Sequence, residues 1–244
     1  MATVLGKLFL AAGHGVLQVV GRNCGSVEEL AGILKTGFTT DFSQVYRGAD
    51  LYVAAIADDA LPELAGRLDL DKKLVVHTAG SVSKDVLQSC SRNYGILYPL
   101  QSLRKEMANI PEIPFLVDGN TPDDLAVISE FASTISPMVQ QAGDEQRLKI
   151  HLAAVVVSNF TNHLYTLASQ YCAKEKLDFN MLMPLISSIA ERIRYFEPAA
   201  VQTGPAVRHD ALTIDKHVKM LNDHPELRAF YIQFTKSIEE MYRQ

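Results

Sequence analysis

The chain has 244 residues, of which 48% are hydrophobic and 21% are charged, and its formal net charge is −5. This composition is typical of a globular protein with an apolar core, and the length fits one large domain or two modest ones. Acidic and basic residues are mixed without a basic tract, so nucleic acid is not an expected partner. The apolar runs are too short to span a bilayer and the N-terminus lacks a signal-peptide pattern. We therefore expect a cytoplasmic protein with no membrane partner.

Three cysteines, Cys24, Cys90 and Cys172, are widely separated along the chain. Their odd number and their spacing fit neither a disulfide framework nor a metal-binding knuckle. We expect three free thiols in a reducing compartment, and no metal site.

The first half of the chain predicts strands that alternate with helices. Short apolar segments predict strands at 15–21, 51–56, 73–77, 94–97, 114–117 and 138–140. Helical periodicity predicts helices at 2–12, 27–34 and 122–135, with a short one ending at 64, and Ser26 and Thr121 are suitable N-caps. The run 51–56 is continuously apolar, which indicates a strand buried on both faces. This alternation predicts an α/β fold with a mostly parallel sheet covered on both faces.

The second half of the chain predicts helices alone. From 144 to 174 there is no proline or glycine and the apolar spacing is helical, which predicts one long helix. Further helices are predicted at 178–195, 210–221 and 225–242, so we expect two domains, 1–143 and 144–244. The long helix is apolar over more of its circumference than one small domain would cover. We therefore expect a homodimer formed through the second domain.

The predicted first helix has no strand before it. A dinucleotide-binding domain starts with a strand, a glycine-rich turn and a helix whose N-terminus holds the pyrophosphate. Here helix 2–12 comes first, so we expect a domain that is incomplete at its N-terminus, with an open groove between the strands near 16–20 and 51–56. Unpaired edges would leave the chain marginally stable and weak in dinucleotide binding. The alternative is a different fold that truly begins with a helix.

Seven segments, taken together in this order and spacing, resemble one protein family. They are AAGHGVLQVVGR (11–22), AIADDAL (55–61), HTAGS (77–81), YPLQSL (98–103), IPFLVDG (113–119), HLAAVVVSNFTNHLY (151–165) and TGPAVRHD (203–210). The chain resembles NADP oxidoreductases that combine a Rossmann-like domain with a helical C-terminal domain of unknown function 2520, relatives of pyrroline-5-carboxylate reductase and 3-hydroxyisobutyrate dehydrogenase. The resemblance implies a Rossmann-like domain followed by an all-helical domain, and gives Ala2 the last position of a Gly-x-Gly-Asn-Val-Ala fingerprint.

The candidate cofactor-binding residues follow the predicted strands. Dinucleotide-binding domains carry an acidic residue after the second strand for NAD, or an arginine for the extra phosphate of NADP. Arg22 in that position favours NADP over NAD, although a solvated loop arginine is the alternative. The resemblance places the loop at 56–59 beside the cofactor, although Asp58 and Asp59 would also serve as helix caps. The full set is Ala2, Arg22, Asn23, Ile56, Ala57, Asp58, Asp59, Thr78, Ala79 and Gly80.

His77 and the long helix supply the candidate catalytic residues. His77 lies at a strand end and is a candidate general acid, because imidazole titrates near neutrality; the alternative is a histidine that only fixes the turn. Ser81 lacks the G-x-S-x-G context of a nucleophile. At 100° per residue, His151, Ser158 and Asn162 share one face of the long helix. This face would serve either a reaction or a domain interface.

Lys149 is a less favoured candidate than His151. Related hydroxyacid dehydrogenases place an asparagine four residues after such a lysine, and here that residue is Ala153. Arg208 would pair with a substrate carboxylate or with an acid on a partner chain. The catalytic candidates are His77, His151, Gln101 and Asn162, and the substrate-binding candidates are Ser102, Ser158, Asn159, Arg208 and Asp210.

The leading hypothesis is an NADP-dependent oxidoreductase that acts on a small carbonyl or imine substrate in a cleft between the two domains. A second hypothesis is a non-catalytic protein that binds NADP as a sensor or regulatory module. A third is an interaction protein that kept the fold and lost the cofactor. Turnover of NADPH, binding without turnover, and absence of binding would separate the three.

Overall fold

The computed structural model describes residues 1–107 and 109–243. The chain forms two compact units, Met1–Val156 and Val157–Gln244. The units divide inside the long helical stretch, whereas the sequence analysis placed a domain boundary at its start, after residue 143. Residue 244, the last of the predicted second domain, lies outside the described residues.

The first unit alternates strands and helices as the sequence predicts. Its elements are α1 (Ala2–Ala11), β1 (Gln18–Val20), α2 (Cys24–Leu34), β2 (Gly37–Thr39), β3 (Leu51–Ala54), α3 (Leu61–Arg67), β4 (Leu74–His77), β5 (Tyr94–Pro99), β6 (Phe115–Gly119), α4 (Pro122–Ile135), β7 (Val139–Gln141) and α5 (Asp144–Ala154). Thr121 caps α4 as predicted, but α2 is capped by Asn23, whose side chain accepts from the Ser26 amide at 2.9 Å. The sequence analysis missed β2, a three-residue strand with two exposed positions.

The described strands fall into two sheets. One contains β1 and β2, which are parallel, and the other has the order β3-β4-β5-β6-β7. Within the larger sheet the pairs β3–β4, β4–β5 and β6–β7 are parallel, and only β5–β6 is antiparallel. The prediction of a mostly parallel α/β sheet is confirmed.

Side chains of β4 alternate between two packed layers. Leu74 and Val76 belong to an apolar cluster with residues of α1 and α4, whereas Val75 packs with residues of α3 and of the turn near Leu87. This alternation follows from the two-residue period of a strand. The larger sheet is therefore covered on both faces. Gly6 lets α1 approach α2, because a Cβ at this position would lie 2.6 Å from the Leu34 side chain.

The edges of β1 and β3 border a cavity. The two strands belong to different sheets, and all residues of both line a cavity of about 510 Å³ together with one side of α1. The groove expected between these strands is therefore present. The strand expected at 51–56 to be buried on both faces is only partly buried, because Leu51, Tyr52 and Val53 stand at this edge.

The second unit is helical, as predicted. A π-helical segment, Val155–Phe160, links α5 to α6 (Thr161–Lys174), and α7 (Met183–Arg192), α8 (Ala211–Met220) and α9 (Pro225–Met241) follow. A π-helix bonds each amide to the fifth residue before it, so it has more residues per turn than an α-helix. The face calculated for His151, Ser158 and Asn162 assumed 100° per residue throughout, whereas this π-helical segment includes Ser158 and separates His151 from Asn162.

Many large apolar side chains of the second unit are exposed. No residue of α7 is buried, and Leu185 and Ile189, together with the C-cap Ile193, form an exposed apolar row with a spacing of four residues. Buried apolar residues in this unit include Leu167 and Leu221. None of the helices in the described part of the chain combines the length and the apolar character needed to cross a bilayer.

Candidate active site

The loops after β3 and β4 meet the N-terminus of α1 at the carboxyl edge of the larger sheet. Ser81 donates a hydrogen bond to Asp58 at 2.6 Å, which joins the two loops. The Thr78 hydroxyl lies 3.0 Å from the sulfur of Met1, the N-cap of α1. This edge is where open α/β sheets bind their ligands. The Ser81 hydroxyl donates its hydrogen bond to the Asp58 carboxylate rather than to a histidine base, which agrees with the absence of a nucleophile motif.

Four of the predicted cofactor residues line one cavity. Ala2 at the start of α1, Arg22 after β1, and Ile56 and Ala57 after β3 all border the cavity between β1 and β3. The Arg22 side chain is 62% exposed, and its guanidinium lies 2.7 Å from the carboxylate of Glu63. An arginine in such an exposed ion pair can change partners at little cost.

His77 is buried and fully engaged by its own loop. Its Nδ1 accepts from the Ala79 amide at 3.2 Å, and its Nε2 lies 3.2 Å from the Ser83 carbonyl oxygen, to which it donates. Burial lowers the pKa of His77 from 6.5 to about 4. The imidazole is therefore neutral at physiological pH, with both nitrogens occupied. This arrangement fits the alternative in which His77 fixes the turn.

His151 and Tyr98 form a pair against the backbone of the same loop. The Tyr98 hydroxyl lies 3.0 Å from His151 Nδ1, and the ring centroids are 5.9 Å apart in an edge arrangement. A Cβ at Gly80 would lie 2.6 Å from His151 Nδ1 and 2.9 Å from Tyr98 Cζ, so only glycine leaves room for the two rings. Burial raises the pKa of Tyr98 above its ordinary value. His77 and His151 thus both contact the short loop after β4, His77 at Ala79 and Ser83 and His151 at Gly80.

Arg147 anchors the far side of this loop. Its side chain is 1% exposed, and its Nη2 donates to the Val82 carbonyl and to Asp144. Asp144 also accepts from the Lys84 amide at 3.3 Å. Burial alone would raise the pKa of Asp144, but hydrogen bonds from Ser83 and Arg147 lower it below its ordinary value. The first turn of α5 therefore holds the loop by charge-assisted bonds.

The other predicted residues lie away from this cluster or in the second unit. The Gln101 side chain accepts from the amide of Ser102 at 2.9 Å, and both residues are exposed. Ser158, Asn159 and Arg208 are exposed in the second unit, where Asn162 contributes its backbone carbonyl to Thr166. Asp210 caps α8, and hydrogen bonds from the Thr213 side chain and amide lower its pKa. Asp59 lies in the 3-10 turn before α3.

Sequence reasoning missed Tyr98, Arg147 and Asp144. Tyr98 stands at the end of β5 in the segment YPLQSL, whose position after a strand was a usable signal. Asp144 and Arg147 are three residues apart at a helix start, a spacing that brings opposite charges together. Both residues matter through their contacts with the loop after β4, and this loop is about 60 residues away in the sequence.

The residues at the sheet edge fit a dinucleotide. The N-cap of α1 makes no side-chain hydrogen bond, so the first helical amides are not satisfied by a cap. Amides at a helix N-terminus attract the pyrophosphate. An arginine at the position of Arg22, just after β1, suits the extra phosphate of NADP. Thr78, Ala79 and Gly80, which the sequence analysis placed beside the cofactor, are buried, and the rings of Tyr98 and His151 pack against Gly80.

Comparison with known proteins places the chain in a family. Residues 113–238 match the family described as "Domain of unknown function (DUF2520)". A crystal structure of a "putative NADP oxidoreductase" from Bacteroides fragilis is 38% identical, with a TM-score of 0.90, and the alignment covers 98% of this chain and 93% of that one. The chain belongs to the DUF2520 family. Its fold is Rossmann-like, with a helical C-terminal region.

More distant structures share the fold of this DUF2520 chain. A protein from Thermotoga maritima is 20% identical with a TM-score of 0.79, covering 98% of this chain and 96% of that one. A reductive aminase from Aspergillus terreus, in complex with NADPH and ethyl-5-oxohexanoate, is 13% identical with a TM-score of 0.70, covering 98% and 88%. No protein of curated function matches the chain significantly in sequence.

Proposed function

We propose that this protein is an NADP(H)-dependent oxidoreductase that reduces a small carbonyl or imine substrate. The observation that carries the proposal is the meeting of the α1 N-terminus with the loops after β3 and β4 at one edge of the sheet. The similar Bacteroides protein is described as a putative NADP oxidoreductase and the Aspergillus reductive aminase is in complex with NADPH, which supports a nicotinamide cofactor.

Arg22 is the residue we assign to the extra phosphate of NADP. It lines the cavity beside α1, and its present partner, Glu63, is itself about half exposed. An exposed ion pair is worth only about 0–1 kcal/mol, so a phosphate competes well for the guanidinium. Asn23, which caps α2, and the residues 56–59 and 78–80 complete the proposed cofactor site.

His151 is the residue we assign to proton transfer. A reduced nicotinamide supplies hydride to the substrate carbon, and a protein side chain supplies the proton to the oxygen or nitrogen. The His151 ring is only partly buried and contacts the loop after β4. The role of general acid for His77 is not supported by its two backbone bonds. Gln101 and Asn162 as catalytic residues, and Ser102, Ser158, Asn159, Arg208 and Asp210 as substrate ligands, stay predictions.

The cavity between β1 and β3 supports a proposal about the sheet. One more parallel strand, running into α1, would join the two sheets into one with the order β2-β1-X-β3-β4. The neighbouring pairs β1–β2 and β3–β4 are both parallel, and Met1 stands at the edge where that strand would end. The turn between this strand and α1 would present backbone amides to the pyrophosphate.

The exposed apolar row on α7 supports the proposal of a homodimer through the second unit. Leu185, Ile189 and Ile193 would be covered by a second copy of the chain, since exposed apolar surface of this extent is uncommon on a monomer. Light scattering at micromolar concentration measures the mass. A monomeric mass would overturn this part of the proposal.

The experiment for the proposed function is turnover of NADPH with a panel of keto acids, cyclic imines and aldehydes. The protein is tested both as this chain and with an N-terminal extension that supplies a strand and a Gly-x-Gly turn. We expect NADPH consumption with at least one carbonyl or imine. NADPH binding without turnover would instead indicate a sensor, and no binding by either form would indicate a protein that does not use the cofactor.

A further inference from the structure

We propose that Tyr98 is a positioning residue that acts through His151: its phenol holds Nδ1 of the imidazole, so that Nε2 is the nitrogen that exchanges a proton with the substrate. The inference rests on the proposed function and assigns a role to a residue that sequence reasoning did not select. It concerns how the proton donor is prepared, and not whether the dinucleotide binds.

The pair is held from two sides. The Tyr98 hydroxyl lies 3.0 Å from His151 Nδ1, within normal hydrogen-bond range. Both rings press on the backbone at Gly80, where a Cβ would overlap them. Tyr98 is 7% exposed, at the buried end of β5, while His151 is on α5 and less buried. Rotation of the imidazole about its Cβ–Cγ bond would break the hydrogen bond between Tyr98 and Nδ1. It would also bring the ring into contact with the loop backbone at Gly80.

A phenol suits this role because a hydroxyl both donates and accepts. Beside a neutral imidazole, Tyr98 donates its proton into the Nδ1 lone pair, which leaves the ring proton on Nε2. Beside an imidazolium, the hydroxyl turns and accepts from Nδ1–H. Raised by burial, the pKa of Tyr98 keeps the phenol neutral in both cases. The hydrogen bond at Nδ1 thus decides which nitrogen is free.

The proton step balances without a charge on Tyr98. As hydride from the reduced nicotinamide reaches the substrate carbon, the Nε2–H bond of the His151 imidazolium breaks and an O–H or N–H bond forms on the substrate. The imidazole is left transiently as the neutral Nδ1–H tautomer, which donates to the Tyr98 oxygen, whereas the Nε2–H tautomer is the resting neutral form. A proton from solvent restores Nε2–H. The phenol keeps its own proton throughout.

A double-mutant comparison of kinetics separates positioning from general structure. We expect Tyr98→Phe to lower kcat by at least about tenfold with little change in KM, because general acid catalysis is worth about 10²–10⁴-fold and depends on orientation. In a His151→Gln background the same change should have an effect of less than about twofold, since coupled residues are not additive. Tyr94→Phe is the matched control, as Tyr94 lies on the same strand and its hydroxyl bonds to Asp85 instead.

The direct test is the nitrogen chemical shifts of the His151 ring, which need no substrate. In long-range ¹H–¹⁵N spectra at alkaline pH, we expect the neutral His151 of wild type and Tyr94→Phe to carry its proton on Nε2. Tyr98→Phe should show a mixture of both tautomers, and so should Gly80→Ala, which displaces the rings by another route. Dinucleotide titration of the same samples reports on the proposed function separately. If wild type, Tyr98→Phe and Gly80→Ala all show the same populations of the two His151 tautomers, the assignment of Tyr98 is overturned.

Discussion

Two neighbouring strands of the larger sheet, β3 and β4, have opposite surroundings. All four residues of β4 are buried between two partner strands, and its loop is held by His77 and Arg147. β3 has one partner strand, only Ala54 among its residues is buried, and its free edge borders the cavity. The carboxyl end of β4 is therefore fixed by contacts within the described chain, whereas β3 lacks comparable contacts along the edge that borders the cavity.

The largest effect is expected from filling the groove. An N-terminal extension that supplies an apolar strand and a Gly-x-Gly turn should give β3 a second partner, as β4 has. Because each backbone hydrogen bond contributes about 0.5–1.5 kcal/mol net and a new strand would add several, we expect a gain of roughly 3–6 kcal/mol in the free energy of unfolding. Calorimetry should then record a Tm higher by roughly 6–20 °C.

The control for this experiment is an extension of equal length made of glycine and serine, which has little tendency to form a strand. It should leave Tm unchanged. The same Tm for both extended forms would contradict the proposed strand and make β3 a true edge of the sheet.

A smaller effect is expected from the buried end of β4. The pKa of His77 is about 4 in the folded protein, against 6.5 for an ordinary imidazole. Between these values the unfolded chain binds a proton that the folded chain does not. Stability contributed by the neutral ring is therefore full above about pH 6.5 and falls by about 3 kcal/mol as the pH drops to about 4.

Urea denaturation across that pH window measures this loss, and His77→Gln should flatten the slope, since glutamine does not titrate. His209→Gln, in an exposed loop, should keep the slope of wild type. If wild type and His77→Gln respond to acid alike, burial of a neutral His77 does not contribute as described.

The sequence predicted most of the first unit because its signals are local. The apolar runs of β4 and β6 and the cap and proline at the start of α4 identify their elements without help from distant residues. β2 was missed because a three-residue strand with exposed Gly37 and Phe38 carries no apolar period. The π-helical segment was missed because an apolar run such as 155–157 does not reveal which amide bonds to which carbonyl.

The sequence predicted the position of some candidate site residues, but not the contacts that define their roles. Residues at the ends of strands, such as Arg22 and His77, were identified because strand ends of a parallel sheet meet at one edge. The roles of His77 and His151 could not be told apart, since they depend on whether Ser83 or Tyr98 contacts the ring. Such contacts between distant segments require the folded structure.

The smallest effect concerns Arg22, on the side of the cavity. Arg22→Ala in the extended form should weaken NADPH binding by roughly tenfold or more, since a charge-assisted bond to phosphate is worth about 1.5–3 kcal/mol. NADH lacks that phosphate and should bind as before. Arg92→Ala, which removes another exposed arginine in an ion pair, with Asp71, is the control. Equal weakening of both dinucleotides would show that Arg22 does not read the phosphate.

Calorimetric titration of the protein, with its groove filled by the extension, against NADPH and NADH tests whether the sheet edge binds NADP(H). If the carboxyl edge of this sheet is a site for NADP(H), NADPH will bind with one site per chain and at least about tenfold more tightly than NADH, a difference of about 1.4 kcal/mol. Absence of binding by either dinucleotide, or tighter binding of NADH, would contradict it.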